Sequence, residues 1–208
     1  MSRIIIFILS AVLSLPLFSQ SGGNPEQEFK IKLQKISNNN KTIQCDFVQH
    51  KKVKNMTQIV QNKGLFYYDN SGLMAMHYTA PKGDKIIMNG ERFIIVTSGK
   101  KMSVDASSNP MMAQISYMMQ ACMSGDISKL GKGWSMNVEP IDNGYQVLLK
   151  PTVKRIQKYI VSMTMCFRDY DLTLDKLRID EASGGYTEYT FMDKKMNKKI
   201  DRSYFAVE

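Results

Sequence analysis

The segment 42–49, TIQCDFVQ, alternates apolar and polar residues with a period of two. In a strand this puts Ile43, Cys45 and Phe47 on one face and turns Asp46 to the other. The same period recurs along the chain and predicts strands at 42–50, 56–68, 73–79, 85–89, 92–98, 134–139, 144–150, 157–168, 173–180 and 186–193. Asn89-Gly90 and Ser183-Gly184-Gly185 supply tight turns between them, so the strands run antiparallel as a meandering sheet. Two stretches switch to a helical period. Asn24-Pro25-Glu26-Gln27 offers a cap, a first-turn proline and a side chain that reaches back, and Phe29, Leu33 and Ile36 then mark one helical face. Ser108-Asn109-Pro110 opens a second helix over 111–123, whose apolar face carries Met112, Ile115, Met118, Met119 and Cys122 before Gly125 ends it. Helices so few among so many strands must lie against one face of one large sheet.

The chemistry of the strand faces is soft. Ile43, Cys45 and Phe47 are followed by Phe66 and Tyr68, then Met74, Met76 and Tyr78, and later Tyr159, Val161, Met163, Met165 and Phe167. Methionine is unbranched and polarizable, so it repacks around irregular or changing apolar shapes. Such a lining suits guests of varied outline better than a stiff Val/Ile surface does. A plain core beneath covering helices uses the same residue types, and periodicity alone does not separate the two.

The front of the chain is different. Met1-Ser-Arg3 is followed by an apolar run, Ile4–Phe18, and then by small and polar residues, which is the layout of a secretory signal peptide with cleavage expected after Ser19. The run falls short of the roughly 20 residues that span a bilayer. A single domain over 20–208 and an exported protein are therefore expected, with no lipid-acceptor cysteine before Cys45. The formal charge is +9, and losing Arg3 leaves +8. Lysines gather at 51–54, 100–101 and 194–199, a field that favours transient contact with membrane headgroups or acidic proteins, while a set of solvated loops and hairpin ends accounts for the same clusters. Export argues against nucleic acid as partner. Cys45, Cys122 and Cys166 show no metal or redox spacing, and one disulfide among them is open. His50 and His77 sit on surface positions of their strands. No nucleophile elbow, zinc motif or phosphate loop occurs, so no catalytic residue, metal or cofactor is expected.

The motifs then resemble a known family. Phe47-Val-Gln49, Gly64-Leu-Phe66-Tyr, Met76-His-Tyr78-Thr-Ala-Pro81 and Ile87-Met-Asn89-Gly90 are similar to the amino-terminal half of the LolA-like periplasmic lipoprotein carriers. Leu177–Asp180, Gly185, Tyr189-Thr-Phe191, Asn197 and Phe205 resemble its closing segment. The resemblance implies an unclosed β-barrel, mainly β, with a lid of two or three helices over an apolar cavity. It implies a monomeric periplasmic carrier that takes acylated lipoproteins from an inner-membrane releasing complex to an outer-membrane acceptor. In that picture Ile43, Cys45, Phe47, Phe66, Tyr68, Met74, Met76, Tyr78, Met163 and Met165 line the cavity. Phe29, Leu33, Ile36, Met112, Ile115, Met118, Met119 and Cys122 belong to the lid. The family commonly has Arg-Pro after its G-x-[LF]-[WY] strand, with the arginine latching the lid. Asn70-Ser71 stands there in this chain, which makes Asn70 the latch candidate. A carrier of free lipid or glycolipid, or a lipid-sensing regulator, are the other readings of the same scaffold.

Overall fold

The computed structural model describes residues 24–37, 39–90, 92–105, 117–121, 123 and 133–206. The expected leader and Met112, Ile115 and Cys122 of the expected second helix lie outside the described residues. Eleven strands make one antiparallel sheet: β1 (Thr42–Lys52), β2 (Ile59–Asp69), β3 (Leu73–Ala80), β4 (Lys82–Asn89), β5 (Arg92–Thr97), β6 (Lys100–Asp105), β7 (Trp134–Ile141), β8 (Gly144–Pro151), β9 (Ile160–Arg168), β10 (Leu174–Glu181) and β11 (Tyr186–Met196). Their order is β6-β5-β4-β3-β2-β1-β11-β10-β9-β8-β7. The first half of the chain meanders outward from β1 to one edge. The second half starts at the other edge and returns, so that β11 pairs with β1. No ladder among the described residues joins β6 to β7, and the barrel is unclosed.

The first helix follows its sequence signal. α1 (Pro25–Ser37) begins where Asn24 Oδ1 accepts from the Glu26 N–H, the cap expected there. Residues 117–121 and 123 are helical. A one-turn helix, Lys154–Gln157, links β8 to β9, and a 3-10 turn, Arg202–Phe205, ends the described chain. No helix among the described residues is long and apolar enough to cross a membrane.

Each face of the sheet carries its own cluster. The inner face, under α1 and residues 117–121 and 123, gathers the large apolar side chains from β1 to β11. The outer face of β2–β5 is covered locally by the C-terminal turn, where Phe205 and Ile200 pack with Tyr67, Ala75, Ile87 and Ile94. Tyr204 stacks on Tyr67 with ring centroids 4.1 Å apart, and its carbonyl meets His77 Nε2 at 2.8 Å. Both edges are poor templates for further pairing: β6 is mostly exposed and begins Lys100-Lys101, and β7 contains Pro140.

Three expectations need correction. β6 was not among the predicted strands, because its exposed, lysine-led sequence has no buried face to produce an alternation. The predicted strand over 157–168 starts only at Ile160, since the preceding residues form the one-turn helix. Finally, Tyr159 and Val161 do not share the inner stripe with Met163: they are 54% and 56% exposed. The ladder between β9 and β10 slips between Asp180 and Glu181, so Ile160 turns inward and the phase reverses before Ser162.

Candidate functional site

The inner face is a continuous field assembled by register. Ile43 pairs with Tyr68 and Cys45 with Phe66, Phe66 with Met76 and Tyr68 with Met74, and Met74 with Met88. On the other side of β1, Phe47 lies opposite Phe191, and a further row runs Val138, Val147, Met165, Leu177, Tyr189. Nine of the ten residues expected as lining, all but Tyr78, are buried in this one cluster, and the half-buried Tyr78 packs against it. Sequence reasoning missed Met88, Phe93, Val147, Leu149 and Leu174 on the same face, although the period-two pattern of their strands marks them.

One end of the field is closed by polar side chains. Gln49, buried on the inner face, donates from Nε2 to the Tyr189 hydroxyl at 2.6 Å and accepts from Asn62 Nδ2 at 2.7 Å. Phe47 stands edge-on to Tyr78 and to Tyr189, with centroids 5.1 and 6.1 Å away. Burial holds both tyrosine hydroxyls protonated well above the usual phenol range. Phe47-Val-Gln49 and Tyr189-Thr-Phe191 are thus two halves of one contact across the β1–β11 ladder.

The helices lie directly on this field. Phe29 sits against Tyr145 and Phe167, each with centroids 5.2 Å away, and Leu33 is buried beside them. Met118, Met119, Ala121 and Met123 are buried in the same cluster, Met118 to 1% exposure. The attachment of α1 also has a polar part. Lys32 Nζ donates to the Tyr145 hydroxyl at 2.8 Å, the hydroxyl donates to Glu28 Oε1 at 3.2 Å, and Lys32 lies 3.5 Å from Asp169. The hydrogen bond to Tyr145 and then that to Glu28 raise the Lys32 ammonium above its ordinary value, and Lys32 in turn lowers Glu28.

A recess of about 390 Å³, open solvent included, lies at the opposite end of the field, at a rim between Leu33, Ile36, Ile43, Phe66, Met123, Leu172 and Phe191. Phe66, Leu149 and Met163 are fully buried on this face, beneath the described helices. A soft apolar concavity has no reason to stand empty, because every void forfeits dispersion contacts that flexible side chains can regain. One charged group reaches the rim: Lys194, whose side chain is 6% exposed. It is bound to Asp175 and to Thr173 Oγ1, and burial lowers its pKa. Arg168 completes the group through Asp171 at 3.2 Å and Thr173 at 2.8 Å.

Asn70 is exposed in the β2–β3 turn, where its backbone N–H donates to the Lys41 carbonyl at 2.9 Å. Its neighbour Asp69 accepts from the Ser71 N–H and hydroxyl. Cys45 and Cys166 are both free. They cannot reach each other, since Cys45 faces inward and Cys166 lies between the inward residues Met165 and Phe167. Burial pushes the Cys45 thiol up to about 12 and raises Cys166 as well. His50 and His77 are half-buried strand residues.

Comparison with known proteins gives consistent results. A family model described as outer membrane lipoprotein carrier protein LolA matches residues 38–208. An outer-membrane lipoprotein carrier protein of Azotobacter vinelandii is 21% identical over 200 residues, 96% of this chain and 91% of its own length. One from Pseudomonas paraeruginosa is 22% identical over 152 residues, 73% of this chain and 70% of its own. Among solved structures, a DUF1329 family protein from Desulfovibrio piger superposes with a TM-score of 0.50 at 10% identity, over 88% of this chain and 98% of that one.

Proposed function

The chain belongs to the LolA family of outer membrane lipoprotein carrier proteins, and from that premise we propose that it is a periplasmic carrier which shelters the acyl chains of lipoproteins between its sheet and its helices during transfer from inner to outer membrane. The observation that carries this reading is the inner face itself: a continuous surface of Met, Phe and Tyr side chains, roofed by helices that offer it Phe29, Leu33, Met118 and Met119. Transfer on such a surface is non-covalent. In this reading the ten inner residues expected from the sequence receive the acyl chains, and α1 with the 117–123 helix forms the cover that yields to them.

The energetics suit a carrier. Each buried methylene is worth roughly 0.8 kcal/mol, so a chain of about fourteen carbons grosses ~10 kcal/mol. Because Met118, Met119 and Met123 are buried against this face, an entering acyl chain competes with them for it. That competition lowers net affinity and lets an acceptor take the cargo. An inner-membrane releasing complex and an outer-membrane acceptor are the partners this reading requires.

A Met118→Asp, Met119→Asp double variant tests it. Two carboxylates cannot remain in the apolar layer, so the expected result is loss of binding of a fluorescent fatty acid with the strand signal in circular dichroism retained; unchanged binding removes the helix from the cover. Mass spectrometry of the material that co-purifies identifies the cargo. Acylated protein is expected, and free lipid or glycolipid alone would replace lipoprotein as the load.

A further inference from the structure

The β1–β2 hairpin overhangs β3 on one side, while β1 stays paired with β11 out to Lys52 on the other. β1 and β2 pair out to Lys52 and Ile59, yet the ladder from β2 to β3 begins only at Lys63 and Ala80. Residues 59–62 of β2 therefore have no strand beside them on the β3 side, and the hairpin projects about 13 Å beyond that neighbour at roughly 3.3 Å per residue. Its tip is both basic and apolar. Lys51, Lys52 and Lys54 are exposed, and so are Val53, Met56, Ile59 and Val60, with Met56 and Ile59 at 49% and 50%. No acidic residue occurs between Asp46 and Asp69.

The tip is not isolated. Lys54 runs alongside Gly184 in the β10–β11 turn, and the Ala182 N–H there donates to the Tyr159 carbonyl at 2.9 Å. This brings in the exposed Tyr159 and Val161, next to Lys154, Arg155 and Lys158 on the β8–β9 connection. The acidic groups of this end are engaged locally. Glu181 accepts from Ser183 and Thr187, and Asp180 accepts from Arg178 and Ser162.

We propose that this end of the sheet is a membrane-docking face whose occupant is the surface of a bilayer carrying anionic lipid. Exposed apolar residues scattered singly mean little. Here they share the tip of the β1–β2 hairpin, at the end of the sheet, with a cluster of cations, which is the arrangement an interface selects: ammonium groups at the depth of the phosphates, and Val53, Met56 and Ile59 at the acyl boundary below. An acidic protein surface would match the lysines but would give these apolar side chains no depth to enter. The proposal extends the carrier reading, since it concerns how the molecule meets a bilayer rather than what it holds.

The test is co-sedimentation of the exported protein, starting at residue 20, with vesicles of phosphatidylcholine alone or with one third phosphatidylglycerol. Binding is expected only to the anionic vesicles and weakens with added salt. A Lys51→Gln, Lys52→Gln, Lys54→Gln variant and a Met56→Ser, Ile59→Ser variant should each lower the partition by about tenfold or more. Fatty-acid uptake measured on the same samples should be unchanged, because these side chains lie outside the inner face. Equal partition of either variant and the unsubstituted protein overturns the proposal, as does equal binding to neutral vesicles. Loss of an acidic protein partner without loss of vesicle binding overturns it in favour of a protein interface. Failure of fatty-acid uptake in the unsubstituted protein, with vesicle binding intact, sinks the carrier reading and leaves this one standing.

Discussion

Gly64 is glycine because of the ring across from it. It pairs with Phe47, and a Cβ placed there would sit 2.6 Å from that ring and 2.3 Å from the His77 carbonyl oxygen. Neither neighbour yields easily, since one is backbone and the other is wedged between Tyr78 and Tyr189. Gly64→Ala is therefore expected to cost about 2 kcal/mol or more, read as a lower urea midpoint; an unchanged midpoint would mean that Phe47 is not locked in place. The sequence shows Gly64, Phe47, Gln49, Tyr189 and Phe191 as motif letters, but only the pairing of β1 with both β2 and β11 explains them as one packed group. Where a single residue was misjudged, a local irregularity is the cause. Val161 has the right parity for the inner face, and the slip in the β9–β10 ladder cancels it.

Among the elements, α1 has the best-defined attachment. Its rings and aliphatic side chains would hold it against the sheet without direction, whereas the bonds of Tyr145 with Lys32 and Glu28 set where it sits. Tyr145→Phe keeps the ring against Phe29 and removes those bonds. If α1 moves when cargo enters, this variant should take up a fluorescent fatty acid roughly threefold faster or more in stopped-flow mixing. An unchanged rate would place the moving part elsewhere. This tie was illegible in the sequence, because Lys32 and Tyr145 are 113 residues apart and neither belongs to a motif. The strands with one buried face were legible from alternation alone. β6 and the Lys154–Gln157 turn were not, having respectively no buried face and a single buried residue, Ile156.

At the scale of the whole molecule, the chain's first strand and its last strand meet in the middle of the sheet. The two meanders share that seam, so neither half can lose it without exposing the other's inner face. Unfolding should consequently be a single transition. Fluorescence of Trp134, the sole tryptophan, reports the β7 edge, and hydrogen exchange in β3–β5 reports the other half. Their midpoints should coincide, and Phe47→Ala at the seam should shift both down together, for a loss of about 3–5 kcal/mol in unfolding free energy. Two separated transitions would contradict a common unit.

The unjoined edges at β6 and β7 carry one more implication. A tube sealed by a last ladder has its girth fixed by strand number and stagger. Here no ladder among the described residues ties the two rims, so the wall can splay or tighten as a cuff does, keeping every strand-to-strand bond while its bore follows whatever lies inside. Thick and thin loads then differ in how far the cuff spreads, not in how much of it must come undone.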